Sequence, residues 1–246
     1  MSEQSAFLNG VASIPGVNNA VLVSDSTAGI FGYLNVTTGD FDTSAFVFQE
    51  MAAPPGASST IGGNGIHVRD SYLYCTNSFL VSLFRIPINV LGYPVPGAMP
   101  EIVANLSNSF TVLDDFTFGS DGGVYIATNF DNSIIRVDPT TRVTTTVAGS
   151  KDSLLVAGST AIVFGKGGEG EILYVSTSGA LAAPVNGTMT EGAKVMAVEI
   201  ASSEIPLRAC WNPECKHACW MLRFPGTFGV IYLPGAGVTS GAMRTK

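Results

Sequence analysis

Charge is scarce in this chain, and basic charge scarcest. Twelve Lys and Arg stand against 19 Asp and Glu, a net charge of −7, and only 13% of the 246 residues are charged, about half the usual share. Without a basic stripe there is no footprint for the phosphates of nucleic acid or of an anionic membrane. No apolar run approaches the roughly 18 residues of a membrane span. The opening MSEQSAFLNG lacks the basic and apolar regions of a signal peptide, so the expected location is cytoplasmic. Only His67 and His217 are present; a Ser-His-Asp triad would have to use His67, and no G-x-S-x-G elbow accompanies it. The glycines at 62–63 and 165–170 do not lie between a strand and a helix, which excludes a phosphate cradle. A helical apolar period is missing as well.

What is present is a repeat. LNGVASIPG (8–16) with AVLVSDSTAGIFGYLNVTTG (20–39), GNGIHVRDSYLYCTNS (63–78), LDDFTFGSDGGVYIATNFDNSIIRVDPTT (113–141) and STAIVFGKGGEGEILYVSTSG (159–179) share one pattern. Taking Leu22, Tyr74, Tyr125 and Tyr174 as equivalent gives steps of 52, 51 and 49 residues. Each unit holds short Val/Ile/Tyr/Phe/Thr runs broken by Gly, Asp, Asn and Pro, which are strand and turn signals. Asn35 and Asp138 open turn sequences between outer strands. A repeat of about 50 residues with about four strands is a β-propeller blade. The expected fold is therefore all-β, four recognisable blades over 1–200, followed by an unlike tail over 201–246.

That tail holds both Trp residues and Cys210, Cys215, Cys219 and His217. Their C-x4-C-x3-C spacing lacks the paired C-x2-C knuckles of structural zinc sites. An altered reading frame or retained intron after Ile200 is an alternative account of the change in composition. Cys75 lies within a strand and reads as a small buried apolar group.

In a propeller the innermost strands line the central channel, so residues leading into them converge. Those residues are Asn9, Asn64 and Asp115, followed by Ser159 and Thr160. Together they offer oxygen ligands to a hard cation, hydrogen bonds to a polar substrate, or simply turn-forming residues. His67 alternates with apolar neighbours and reads first as a half-buried strand residue. Phe79, Phe116 and Phe164 lie near the strand starts and are either inter-blade packing or apolar substrate contacts.

The segments LNGVASIPG, GNGIHVRDSYLYCTNS and DDFTFGSDGGVYIAT resemble successive blades of the SMP-30/gluconolactonase-like six-bladed propellers, over about residues 7–200. The resemblance implies a divalent cation (Ca or Zn) held in lactonases by a Glu, an Asn and an Asp. Asn64 and Asp115 stand where the last two would be, Asn9 is similar in position to a substrate-contacting Asn, and the Glu has no counterpart. Set against six blades, four imply a chain incomplete at both ends. GNGIHVRDSYLYCTNS, DDFTFGSDGGVYIATN and STAIVFGK look most like a fungal secondary-metabolism branch that includes the eupenifeldin-type hetero-Diels–Alderases, which join a tropolone or phenol quinone methide to a humulene-type terpene. That likeness implies polyketide and terpene substrates and no cofactor. Asp115, Asn64 and His67 would be the catalytic residues, and Asn9, Thr160, Phe79, Phe116 and Phe164 substrate contacts. A metal-dependent lactonase and a non-catalytic ligand-binding propeller are the alternatives.

Overall fold

The computed structural model describes residues 7–166 and 172–200, together with the backbone of the two-residue strand Val230–Ile231. The cysteines and histidine considered for zinc, and the rest of 201–246, lie outside the described residues. Among the described residues, sixteen strands form four antiparallel four-stranded sheets. The first is β1 (Leu8–Ile14), β2 (Val17–Asp25), β3 (Ile30–Asn35) and β4 (Phe41–Val47); the second is β5 (Gly63–Arg69), β6 (Tyr72–Asn77), β7 (Ser82–Pro87) and β8 (Glu101–Asn105). The third is β9 (Phe116–Phe118), β10 (Val124–Ala127), β11 (Ser133–Val137) and β12 (Thr144–Gly149); the fourth is β13 (Ser159–Phe164), β14 (Ile172–Thr177), β15 (Lys194–Glu199) and β16 (Val230–Ile231). These are four propeller blades with strands in chain order. Leu22, Tyr74, Tyr125 and Tyr174 all fall in second strands, as the repeat requires. No helix among the described residues is long and apolar enough to cross a membrane.

The blades bury their faces against one another. Leu22, Phe31 and Phe46 meet Ile66, Leu73, Cys75 and Phe84 between the first two sheets. Tyr74 and Leu83 meet Leu113, Phe116, Val124 and Ile126 between the second and third. Tyr125, Ala127 and Ile134 meet Ile162, Leu173 and Val175 between the third and fourth. Period-two alternation sends Leu73 and Cys75 to one face of β6 and Tyr74 to the other, so a blade covered on both sides reads as a nearly continuous apolar run. Cys75 is fully buried, donates to Met51 Sδ at 3.3 Å, and its thiol pKa is pushed up by desolvation. The outer turns follow from Asx chemistry: Asn35 Oδ1 accepts from the amides of Thr37 and Thr38, and Asp138 Oδ1 from those of Thr140 and Thr141.

Polar contacts lock neighbouring blades at the channel end. Ser24 Oγ on β2 accepts from the Gly10 amide at 2.7 Å and donates to the Asn64 carbonyl of the next blade at 2.7 Å. Thr76 Oγ1 on β6 does the same between the Gly65 amide (3.1 Å) and the Asp114 carbonyl (2.7 Å). In the third blade the hydroxyl drops out, and the Asp115 amide donates directly to the Thr160 carbonyl at 3.1 Å. Ser24 and Thr76 are fully buried, so removing a hydroxyl leaves a backbone N–H and a backbone C=O without their partner, one of the two in a buried residue, at about 1–3 kcal/mol. Ser24→Ala is expected to lower the unfolding free energy by that amount in urea titration, whereas Ser13→Ala, at an exposed position, should cost under about 0.5 kcal/mol.

Candidate functional site

The inner strands carry an irregularity at the same place. Pairing slips between Leu8 and Val11 in β1, between Gly63 and Ile66 in β5, and between Ser159 and Ala161 in β13. Ahead of β9, Ala127 answers two residues: the Asp114 amide donates to its carbonyl, and its amide donates to the Asp115 carbonyl. Such bulges re-aim side chains. Here each turns a doublet toward the channel: Asn9-Gly10, Asn64-Gly65, Asp114-Asp115 and Thr160-Ala161. These doublets with Val11 line a cavity of about 410 Å³.

The inter-blade contacts fix which members are equivalent. The carbonyls of Asn64, Asp114 and Thr160 each accept the contact from the preceding blade. The position expected for Asp115 therefore belongs to Asp114, and Asp115 stands where the earlier blades have Gly10 and Gly65. Asp114 is the residue the repeat reading missed; the doublets NG, NG, DD and TA, aligned as pairs, carry the signal. Gly65 is glycine because a Cβ there would meet Asp115, with the Asp115 Cα at 2.7 Å.

A chain of hydrogen bonds sets the amides. Asn9 Nδ2 donates to Asn64 Oδ1 at 2.8 Å and to Ser26 Oγ at 3.2 Å. Asn64 Nδ2 donates to Ser78 Oγ at 2.9 Å, and Ser78 donates to the Leu113 carbonyl at 2.6 Å. The Asn64 amide also acts on the Asp114 carboxyl, lowering its pKa. Both Asn9 amide hydrogens are thus spent within the protein. The two carboxylates have separate partners. Asp114 Oδ2 accepts from Asn129 Nδ2 at 2.7 Å, while Asp115 Oδ1 lies 3.3 Å from His67 Nε2. Desolvation, and then the charge of Asp115, raise the Asp114 pKa to about 6. Thr160 Oγ1 shares a hydrogen with Ser176 Oγ at 2.8 Å, and the buried Ser159 hydroxyl donates to the Ser133 carbonyl, locking the third and fourth blades together.

His67 sits on β5, half-buried, with Phe116 edge-on at 4.8 Å and Phe118 at 6.4 Å. It reaches the site through Asp115 and is not itself among the lining residues. The three phenylalanines expected to contact substrate do not line the cavity either. Phe116, one place past the bulge, is fully buried between the second and third sheets. Phe164 packs edge-on against Tyr125 at 4.9 Å in the next core. Phe79 is half-buried in the turn between β6 and β7. The apolar part of the lining is Val11 and Ala161.

A hard cation takes six to eight oxygens. In this cavity the Asn64 amide oxygen is engaged by Asn9, Asp115 Oδ1 by His67 and Asp114 Oδ2 by Asn129. No group of three His, Cys, Asp or Glu that could hold a metal occurs among the described residues. In this structure the Asn64 and Asp115 oxygens that the resemblance assigns to a cation are partnered within the protein.

No protein-family model matches the chain. In sequence it is 26% identical over 197 residues to a Phoma sp protein named "Putative hetero-Diels-Alderase", covering 70% of this chain. The chain spans about half, 53%, of that relative's length. In structure it is similar to a solved "putative gluconolactonase" (TM-score 0.55, 13% identity, 82% of this chain and 62% of that one). It is also similar to a chain of a nidogen/laminin complex (TM-score 0.51, 11% identity, 81% of this chain and 62% of that one). The chain has a gluconolactonase-like propeller fold and is similar in sequence to that Phoma protein. Both relationships are those indicated by the repeat motifs. At such identities the structural likeness concerns the fold alone.

The raised pKa of Asp114 has a consequence for stability. Between its ordinary 3.8 and about 6, the folded protein keeps a proton that the unfolded chain has released, so stability falls as pH rises through that window. Asp114→Asn removes the effect. The wild-type unfolding free energy, measured against this variant in urea, is expected to fall by roughly 2 kcal/mol from pH 4 to 6.5 and then level off. Parallel pH profiles for the two proteins would refute the assignment.

Proposed function

We propose that this propeller is an enzyme of the hetero-Diels–Alderase type, in which the doublet ring dehydrates a hydroxymethyl-bearing tropolone or phenol and orients the resulting quinone methide toward an alkene. The observation that carries the reading is the pair of adjacent carboxylates on one cavity, Asp114 held by Asn129 and Asp115 by His67. Two carboxyls with different environments divide into an acid and a base. The similarity to the Phoma protein supports the choice of reaction.

Asp115, beside His67, takes the ring hydroxyl proton. The benzylic C–O bond breaks, and the departing hydroxide takes the Asp114 proton and leaves as water. Asp114 is then ionised and Asp115 protonated, and exchange with solvent restores both. Once reprotonated, Asp114 donates a hydrogen bond to the quinone methide carbonyl and draws charge toward that oxygen. Asn9 and Asn64 act through orientation, because their amide hydrogens are committed to the ring. The cycloaddition moves no proton: a C–C bond forms from the methide carbon and a C–O bond from the carbonyl oxygen to the two alkene carbons, giving a dihydropyran. Holding the partners in register supplies several kcal/mol, on the order of 7–11 at best. No step uses a metal.

Incubation of the protein with a hydroxymethyl tropolone and humulene is expected to form the dihydropyran faster than the protein-free control, equally with and without EDTA. Asp114→Asn and Asp115→Asn should each slow the reaction by about 10²-fold or more. A quinone methide released from a light-triggered precursor should bypass most of the Asp115→Asn defect. A rate equal to the protein-free control would overturn the reading, and EDTA-sensitive hydrolysis of an added lactone by the same protein would favour a metal-dependent lactonase.

A further inference from the structure

In three blades the loop that joins the second strand to the third touches the doublet of its own blade, and in the third blade the contact is reversed. Asn9 Nδ2 donates to Ser26 Oγ in the first blade, and Asn64 Nδ2 donates to Ser78 Oγ in the second. Ser26 and Ser78 directly follow β2 and β6, in loops of four residues, 26–29 and 78–81. The residue that directly follows β10 is Thr128, in a loop of five, 128–132. Its hydroxyl turns back into the loop and donates to the Ser133 carbonyl at 2.8 Å. The next residue, Asn129, takes over the contact and donates from Nδ2 to Asp114 Oδ2 at 2.7 Å.

The exchange follows from the side chains. An asparagine amide nitrogen needs an acceptor, and a hydroxyl oxygen is one; an ionised carboxyl has only lone pairs and needs a donor. A side-chain amide carries two N–H donors, whereas the Ser78 hydroxyl spends its one hydrogen on the Leu113 carbonyl. Placing that amide takes an added residue and a special backbone. The last residue of each of these loops is left-handed, Gly29, Val81 and Asn132. Asn129, at φ +39°, is a second left-handed residue that the loops at 26–29 and 78–81 lack, in a region that Asn tolerates better than most side chains. The rest of the turn is pinned. Asn132 Oδ1 accepts from the Gly158 amide at 2.8 Å, and the Asp131 carboxyl from the Thr111 amide at 2.7 Å and Lys151 Nζ at 3.1 Å. Asp114 lines the cavity and Asn129 does not, so the amide reaches the site only through that carboxyl.

We propose that Asn129 is a positioning residue, whose amide, delivered by the lengthened turn, fixes the direction in which Asp114 presents its carboxyl to a bound ring. Its effect on turnover rests on the acid role proposed above for Asp114; the orientation of the carboxyl does not.

Variants of the full chain test this. Asn129→Gly keeps a backbone that accepts positive φ and removes the amide. Asn129→Asp keeps the size and sets acceptor against acceptor, and adding Asp114→Asn restores a donor and an acceptor in the opposite order. In urea at one mildly alkaline pH, Asp114→Asn is expected to shift the unfolding midpoint upward by more in the Asn129→Asp background than in the wild type. Equal shifts in the two backgrounds would overturn the contact and the proposal with it. In the dihydropyran assay, Asn129→Gly should lower kcat about tenfold or more with KM unchanged, and should cause no further loss in a protein that already carries Asp114→Asn. A general loosening of the blade would not depend on Asp114, so the same fold-loss in both backgrounds, or a change in KM alone, would overturn the positioning role. If the wild type forms adduct no faster than the protein-free control, the cycloaddition reading falls, and the urea comparison alone decides whether Asn129 orients Asp114.

Discussion

A single hydroxyl bridging two blades is the contact on which the rest of the molecule depends. Ser24 Oγ takes the Gly10 amide of its own blade and gives its proton to the Asn64 carbonyl of the next. The inner strand is bulged there, so its amide cannot find a ladder partner, and an unpartnered buried N–H is costly. The hydroxyl therefore stabilises the bulge and the blade junction at once. Thr76 repeats the arrangement one blade on. Because the bulge turns side chains into the channel, the same contact that joins the blades also builds the site. Stability and site geometry cannot be varied independently at these positions.

The third blade departs from this pattern, and the chemistry follows from the departure. Asp115 replaces the glycine of the doublet and reaches the Thr160 carbonyl directly through its own amide. A side chain now fills the space that glycine leaves open, which is why Gly65 opposite must remain small. Two carboxyls are thereby forced side by side. Asp114 is withdrawn from water among Asn129 and Asn64, and Asp115 faces His67. Like charges this close oppose ionising both, and burial, with the charge of Asp115 beside it, raises the Asp114 pKa to about 6. The proposed division into acid and base is set by packing of the backbone doublet.

The period, the strand content and the convergence of strand-leading residues were legible because they depend on spacing alone. Asn9, Asn64 and Thr160 meet on one cavity although Asn9 and Asn64 are 55 residues apart. The identity of the third equivalent was not legible from spacing, since a bulge adds a residue and DD offers two candidates. Only the carbonyl that receives the Thr76 hydroxyl decides for Asp114. Phe116 was misplaced for a related reason: side chains alternate, and one step past the bulge the direction reverses into the core. The donor roles of Asn9 and Asn64 were hidden too, because a sequence does not reveal that both Asn9 hydrogens are consumed by Ser26 and Asn64.

Consumed donors make a rigid site. Asn9 is the source of the chain: one of its amide hydrogens goes to Ser26, and the other starts a run through Asn64 and Ser78 to the Leu113 carbonyl. Turning over the Asn64 amide would set its nitrogen against the Asn9 nitrogen, donor to donor, so these groups hold one arrangement. Adaptability at the cavity has to come from apolar contact, which is non-directional, and among the lining residues only Val11 and Ala161 offer it.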